Sequence, residues 1–189
     1  MMKKFDVKKT EISDLIVLKR NIFEDDRGSL DRIFCFNELS SFTKSKSPTQ
    51  INYTKTKYKN TVRGLHFQYA PFSETKIISC LKGSIFDVAV DLRKNSPTYL
   101  KWHSEIITDK NHKSFLIPEG FAHGYQTLSD NCELLYIHTS AYKPDFEDGI
   151  NPFDDNIKIK WPNIASFISD RDKSHKNIKD GFEGLTVEL

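Results

Sequence analysis

Short alternating segments, each closed by a turn signal, recur along almost the whole of this 189-residue chain. Residues 14–19, 30–36, 50–57, 61–67, 75–80, 83–92, 100–107, 113–117, 124–127 and 132–142 read as strands. Asp26-Arg27-Gly28, Lys82-Gly83, Asn95-Ser96-Pro97 and Ser129-Asp130-Asn131 separate them, with residues suited to tight backbone turns. Many short strands with this punctuation restrict the fold to an all-β sandwich or barrel. Helical signal is confined to a short stretch near residues 37–42, ahead of the Ser/Thr/Lys-rich loop that ends at Pro48, and a turn near 164–168 in the polar tail. A chain of this length supports one hydrophobic core, so residues 1–189 are expected to form a single domain.

Side chains alternate across a strand, which sorts the chemistry-bearing residues by face. In Val62-Arg63-Gly64-Leu65-His66-Phe67-Gln68, His66 and Gln68 share one face and Leu65 and Phe67 the other. A histidine and an amide aimed together into a half-buried sheet suggest a lined cavity, with the histidine handling protons. Tyr136 and His138 share a face of the segment 132–142, and Tyr142 falls on that face by alternation; a phenol there can donate a proton or simply pack. In the strand 83–92, Phe86, Val88, Val90 and Leu92 form one apolar face. Asp87 and Asp91 lie on the other, which either faces solvent or lines a polar interior. Asp172, in Ser169-Asp170-Arg171-Asp172, reads by default as a solvated charge in the tail.

Pro118-x-Gly120-x-x-His123 is similar to the second metal motif of cupins, the small double-stranded β-helix barrels. The first cupin motif needs His-x-His, and here the second histidine is replaced by Gln68, an amide that ligates transition metals poorly. The metal alternative is therefore reduced to His66, Glu74 and His123, and no metal or cofactor is expected. The balance of 28 basic and 26 acidic residues gives no case for a nucleic-acid surface. No apolar run approaches a membrane span, and no signal peptide follows the basic start Met-Met-Lys-Lys. Three widely spaced cysteines, Cys35, Cys80 and Cys132, suggest neither a disulfide framework nor a zinc knuckle, so a reduced, cytoplasmic protein is expected.

Taken in order, these segments resemble the dTDP-4-dehydrorhamnose 3,5-epimerases and related nucleotide-sugar epimerases. The matching pieces are Phe23-x-Asp25-x-Arg27-Gly28, Gln50-x-Asn52, the run 62–68, the run 86–93, Ser96-Pro97-Thr98, the run 117–124, the Tyr136 and Tyr142 pair, Ile159-x-Trp161-Pro162 and Ser169-x-x-Asp172. The resemblance implies a cupin-type jelly roll, a homodimer, and metal-free proton transfer on a nucleotide-diphosphate-linked 4-keto sugar. It implies His66 as the base, Asp172 as its orienting carboxylate, Tyr136 as the proton donor on the opposite face and Lys76 beside the enolate oxygen. Gln50, Asn52, Gln68, His123 and Tyr142 would contact the substrate. Arg63, with Arg27 from a partner subunit, would bind the diphosphate.

Two stretches depart from the family's pattern. Glu74-Thr75-Lys76-Ile77-Ile78-Ser79 stands where Gln-x-Lys-Leu-Val-Arg is common, and Ser29-Leu30-Asp31-Arg32-Ile33 follows Arg27-Gly28 in place of an aromatic and a glutamate. The nucleotide is accordingly dTDP, GDP or CDP, on a hexose or heptose, with inversion at C3 or at C3 and C5. The competing functions are a 3,4-ketoisomerase on a 4-keto sugar, a non-catalytic sugar-nucleotide binding protein and a metal-dependent cupin dioxygenase.

Overall fold

The structure is a computed structural model, and it describes residues 3–179 and 182–187. The chain begins with β1 (Phe5–Lys9), β2 (Ile16–Arg20), the hairpin β3 (Phe23–Asp25) and β4 (Gly28–Leu30), and the one-turn helix α1 (Phe36–Leu39). There follow β5 (Gln50–Thr56), β6 (Val62–Gln68), β7 (Lys76–Lys82), β8 (Ser84–Asp91) and β9 (Trp102–Thr108). The last elements are β10 (Lys113–Ile117), β11 (Phe121–Thr127), β12 (Cys132–His138), β13 (Glu147–Gly149) and the short helix α2 (Asp170–Ser174).

Two antiparallel sheets face each other, a six-stranded one ordered β1-β2-β10-β7-β12-β5 and a five-stranded one ordered β13-β6-β11-β8-β9. Strands distant in sequence lie side by side, which is the jelly-roll solution to closing a β-protein on itself. One core fills the space between the sheets, with Val17, Ile78, Phe115 and Leu134 meeting Ile85, Ala89, Ile107 and Tyr125. The outer face of the five-stranded sheet is covered by the C-terminal tail, whose Ile150, Ile157, Trp161 and Leu185 pack on Leu65, Val88 and Val90. The outer face of the six-stranded sheet is covered by the segment around α1, where Leu39 and Phe42 meet Ile16, Leu18 and Ile77.

This double covering decides the question left open for the strand 83–92. Asp87 and Asp91 are both fully buried, so the solvent-facing alternative is wrong for each. Asp87 faces the interior between the sheets, where it meets His123 at 2.6 Å. Asp91 closes a turn, accepting hydrogen bonds from Arg93, Ser96 and Thr98.

Two expectations are corrected, and one strand goes unforeseen. The predicted strand 30–36 is absent: the chain leaves β4 at Leu30, Asp31 is taken by Arg20 at 2.8 Å, and Ile33 and Phe34 pack as part of the cover over the outer face. Their apolar character serves docking, not pairing. The helical turn predicted near 164–168 forms instead at α2, because Phe167 O accepts from Val62 N–H and Ser169 caps the helix by accepting from Asp172 N–H. β1 adds a strand that alternation does not signal, since only Phe5 along it is buried; pairing to β2 holds it.

The Asp91 turn yields a pH prediction. Burial pushes this carboxyl up, but the hydrogen bonds from Arg93, Ser96 and Thr98 outweigh it and leave it below the ordinary carboxylate value. A depressed folded value means stabilisation that is complete above the unfolded carboxylate pKa and is lost as pH falls through the folded one. Asp91→Asn is therefore expected to lower stability at neutral pH by about 1–3 kcal/mol, because the buried acceptor of Arg93, Ser96 and Thr98 is lost and Arg93 keeps only Asp14 as an acidic partner. It should also flatten the decline below about pH 4. Thermal unfolding of both proteins across that range checks this; parallel acid limbs would refute it.

Candidate active site

The two sheets part at one end around a cavity of about 210 Å³. Alternation delivers the side chains on each wall. On the five-stranded sheet, β6 contributes Arg63, His66 and Gln68, and β11 contributes His123. On the six-stranded sheet, β5 contributes Gln50 and Asn52, β7 contributes Lys76, and β12 contributes Tyr136 and His138. Register fixes neighbours: His66 is opposite His123, Tyr136 opposite Asn52, and His138 lies between Gln50 and Lys76. Tyr142 lies past the end of β12, yet its hydroxyl donates to Glu147 at the cavity rim.

Simple alternation would send Arg63 to the face opposite His66. A register shift between β6 and β11 pairs Tyr125 with Arg63 while His123 pairs with His66, so β6 holds one extra residue there. Such a bulge re-aims a side chain, and here it turns both Arg63 and His66 inward. The extra residue needs Gly64: its φ is +108°, and a Cβ would stand 2.6 Å from the His123 carbonyl oxygen.

Asp172 is buried, correcting its default reading as a solvated charge. Its Oδ1 lies 2.9 Å from His66 Nε2, and its Oδ2 accepts from Gly64 N–H at 3.0 Å. Burial pushes this carboxyl up, but His66, the Gly64 N–H and the Ser169 contact outweigh it and hold it below the ordinary value. An ionised carboxylate only accepts, so Nε2 carries a proton, and in the neutral ring Nδ1 is the nitrogen with the lone pair. The bulge glycine thus helps fix the acid that orients the histidine.

The facing wall is charged differently. Burial, reinforced by Tyr125 and Asp87, pushes the Tyr136 phenol well above its ordinary value, so it stays a protonated donor. Lys76 Nζ is 3.3 Å from Glu74 and donates to the His66 carbonyl oxygen at 3.3 Å. Glu74 also meets His138 Nδ1 at 2.8 Å. Burial raises the Glu74 carboxyl, yet Lys76 and His138 outweigh this and leave it below its ordinary value. Glu74 and His123 are each engaged elsewhere, and among the described residues His66, Glu74 and His123 form no metal-capable cluster.

Arg27 is not brought to the cavity of its own chain. It sits on the β3–β4 hairpin, 88% exposed and paired with Asp25. Sequence reasoning also missed an outer groove of about 480 Å³ that shares Arg63 and His66 with the cavity. It adds Lys55, Lys57 and Arg171, and the stacked rings of Tyr58 and Phe167 at 4.6 Å. The Lys/aromatic spacing of Lys55-x-Lys57-Tyr58 was the available signal. The two sequence departures prove to be connected: Ser79 bonds Ser114, which bonds Arg20, which bonds Asp31. This network lies on the outer face of β7, away from the cavity, so the serine exchange does not reshape the cavity wall.

The family model of dTDP-4-dehydrorhamnose 3,5-epimerase matches residues 9–180. The chain is 37% identical to the dTDP-4-dehydrorhamnose 3,5-epimerase of Shigella flexneri over 93% of its length and 97% of the relative's. A dTDP-6-deoxy-D-glucose-3,5-epimerase from Legionella pneumophila, solved with dTDP-4-keto-L-rhamnose, superposes with a TM-score of 0.90 at 30% identity, covering 98% of this chain and all (100%) of the other. A dTDP-4-dehydrorhamnose 3,5-epimerase from Bacillus anthracis, solved with TDP and pyrophosphate, gives 0.88 at 34% identity, covering 92% and 99%.

Proposed function

The chain belongs to the dTDP-4-dehydrorhamnose 3,5-epimerase family and epimerises a nucleotide-linked 4-keto sugar at C3, or at C3 and C5; we propose that it does so by proton transfer between His66 and Tyr136 across the cavity. A ketone at C4 acidifies the hydrogens on its neighbouring carbons, because the carbanion delocalises onto oxygen as an enolate. Inversion then needs a base on one face of the sugar, a donor on the other and a positive group at the enolate oxygen. His66 Nδ1 takes the proton, with Asp172 holding the tautomer and stabilising the imidazolium. Tyr136 returns a proton from the opposite side, and Lys76 supplies the charge at oxygen. The single observation that carries this reading is that a carboxylate-oriented histidine and a half-buried, protonated phenol occupy facing walls of one cavity.

Gln50, Asn52, Gln68, His123 and Tyr142 contact the sugar end. Arg63 spans the cavity and the basic groove, so the diphosphate lies there with its nucleoside toward Tyr58 and Phe167. The relatives act on dTDP sugars, which makes dTDP the first nucleotide to test and GDP or CDP the next. A homodimer accords with the exposed Phe23, Leu30 and Arg27 of the hairpin and with Ile51 and Tyr53 exposed on the edge strand β5; Arg27 would then serve the partner's diphosphate. A cytoplasmic setting accords with three free cysteines, and no described helix is long and apolar enough to cross a membrane.

The test is incubation in D2O with dTDP- and GDP-linked 4-keto-6-deoxy sugars, following deuterium at C3 and C5 and the configuration of each carbon. Label at C3 alone defines a 3-epimerase, and label at both a 3,5-epimerase. With Tyr136→Phe, His66 can still remove the proton and return a deuteron to the same face. Label should then enter with retained configuration while inverted product falls by roughly 10²- to 10⁴-fold. Inverted product at the wild-type rate would remove Tyr136 from the mechanism.

A further inference from the structure

α2 brings a second histidine to the His66–Asp172 pair. His175 stacks edge-on against His66, ring centroids 5.6 Å apart, and its Nε2 lies 3.9 Å from Asp172 Oδ1. That nitrogen is buried and has no hydrogen-bond partner, a costly condition for a polar atom inside a protein. Gly149 leaves room for the ring: a Cβ there would stand 2.3 Å from Nε2. Donor atoms of His66, Asp172 and His175 all lie within 4.8 Å of one another.

We propose that His66, Asp172 and His175 bind a divalent transition-metal ion of the zinc class, and that the bound ion switches the enzyme off. Two imidazoles and a carboxylate are a set that zinc favours, with a fourth position open toward the groove. Zinc–ligand bonds near 2.0–2.1 Å in tetrahedral array put donors about 3.4 Å apart. The two separations from Asp172 Oδ1, 2.9 Å and 3.9 Å, straddle that value, and the imidazole donors lie within 4.8 Å of each other, so the His175 ring must turn inward to complete the site. Burial and the neighbouring His66 depress the His175 pKa, which keeps the ring neutral and able to ligate. The Arg171 charge beside it is taken up by Glu147.

Inhibition follows from which nitrogen is occupied. The ion replaces the proton on His66 Nε2 and takes over Asp172 Oδ1. Nδ1 would then have to accept the sugar's proton on a ring already bound to a dication, with no carboxylate free to stabilise the product. This consequence rests on His66 being the base; the binding itself does not.

The test is calorimetric titration of zinc chloride into EDTA-stripped, desalted protein, alongside the rate of deuterium exchange at each metal concentration. Two variants keep it decisive: His175→Phe preserves a ring against Gly149 without a donor, and His175→Gln preserves polarity. Each variant's rate is referred to its own metal-free value. One zinc per chain is expected, with magnesium inert because a hard cation prefers oxygen donors. Affinity and inhibition should both weaken by at least roughly tenfold in either folded variant, the lower end of what loss of even an outer partner costs a metal site. Absent binding, or equal affinity in wild type and variants, would overturn the site. Zinc binding that depends on His175 but leaves exchange unaffected would uphold the site and overturn its inhibitory role, whereas the assignment of His66 as base stands or falls separately, on the loss of exchange in metal-free His66→Gln.

Discussion

Replacing His66 with Gln is expected to abolish deuterium exchange at every carbon the enzyme labels, a loss of roughly 10²- to 10⁴-fold, the range for a positioned general base. Glutamine is the informative choice because its terminal amide reaches toward the place of Nε2 and can donate to Asp172. The carboxylate then keeps a partner, and no unpaired charge is left beside Gly64. The lost imidazole is partly exposed at the cavity wall, so stability should change by only about 1 kcal/mol, the scale of one hydrogen bond. Binding of the nucleotide diphosphate should persist, since the groove cations Lys55, Lys57, Arg63 and Arg171 are untouched. Exchange and nucleotide binding measured on one preparation therefore separate a dead catalyst from a misfolded one. Exchange within about tenfold of wild type would show that another group removes the proton. The loss should also be uniform: if C3 and C5 are both labelled by wild type, both labels should vanish together.

How far the sequence could foretell this site depended on how each residue reaches it. Tyr136 and His138 on β12 follow plain period-2 alternation and their shared face was readable, while Gln50 and Asn52 on β5 obey the same alternation but were signalled only by the family pattern. Tyr142 reached the same cavity by a different route, because β12 ends at His138 and the chain turns. Arg63 resisted alternation altogether, since the bulge at Gly64 reverses the phase of β6 and nothing in the local pattern announces it. Asp87 and Asp91 were ambiguous for a global reason. A sheet's solvent side is a useful assumption only when one side is bare, and here the tail and the segment around α1 cover both outer faces. Asp172 was the hardest, arriving from 106 positions away in a polar tail. Only the family pattern singled it out. The same tail carries His175, for which neither pattern nor resemblance gave a signal.

The orienting carboxylate has an expected effect as large as that of the base. Asp172 accepts two hydrogen bonds, from His66 Nε2 and from Gly64 N–H. Asp172→Asn keeps the shape but leaves only one acceptor oxygen for two donors. If that oxygen stays on Gly64, the amide N–H₂ faces His66 and forces Nε2 to accept, which moves the ring proton to Nδ1. The nitrogen facing the cavity then has no lone pair with which to act. If the oxygen turns to His66, Gly64 N–H meets an N–H₂ group and a buried donor is left unpaired, at a cost of about 1–3 kcal/mol. The tautomer with the cheaper fold is the inactive one. Exchange is therefore expected to fall by up to about 10⁴-fold, as when the acid of a catalytic triad becomes an amide. Stability gives an independent signature. The carboxyl is held below its ordinary value despite burial, so its contribution is present above the unfolded pKa and lost as pH falls through the folded one. The Asp172→Asn variant should show a lower unfolding midpoint at neutral pH and a shallower decline in acid. Ring nitrogen NMR shifts of His66 would report the tautomer directly: a proton on Nε2 in wild type and on Nδ1 in the variant. If the variant exchanges at near the wild-type rate with its proton still on Nε2, the carboxylate merely supports the bulge at Gly64 and plays no part in tuning the base.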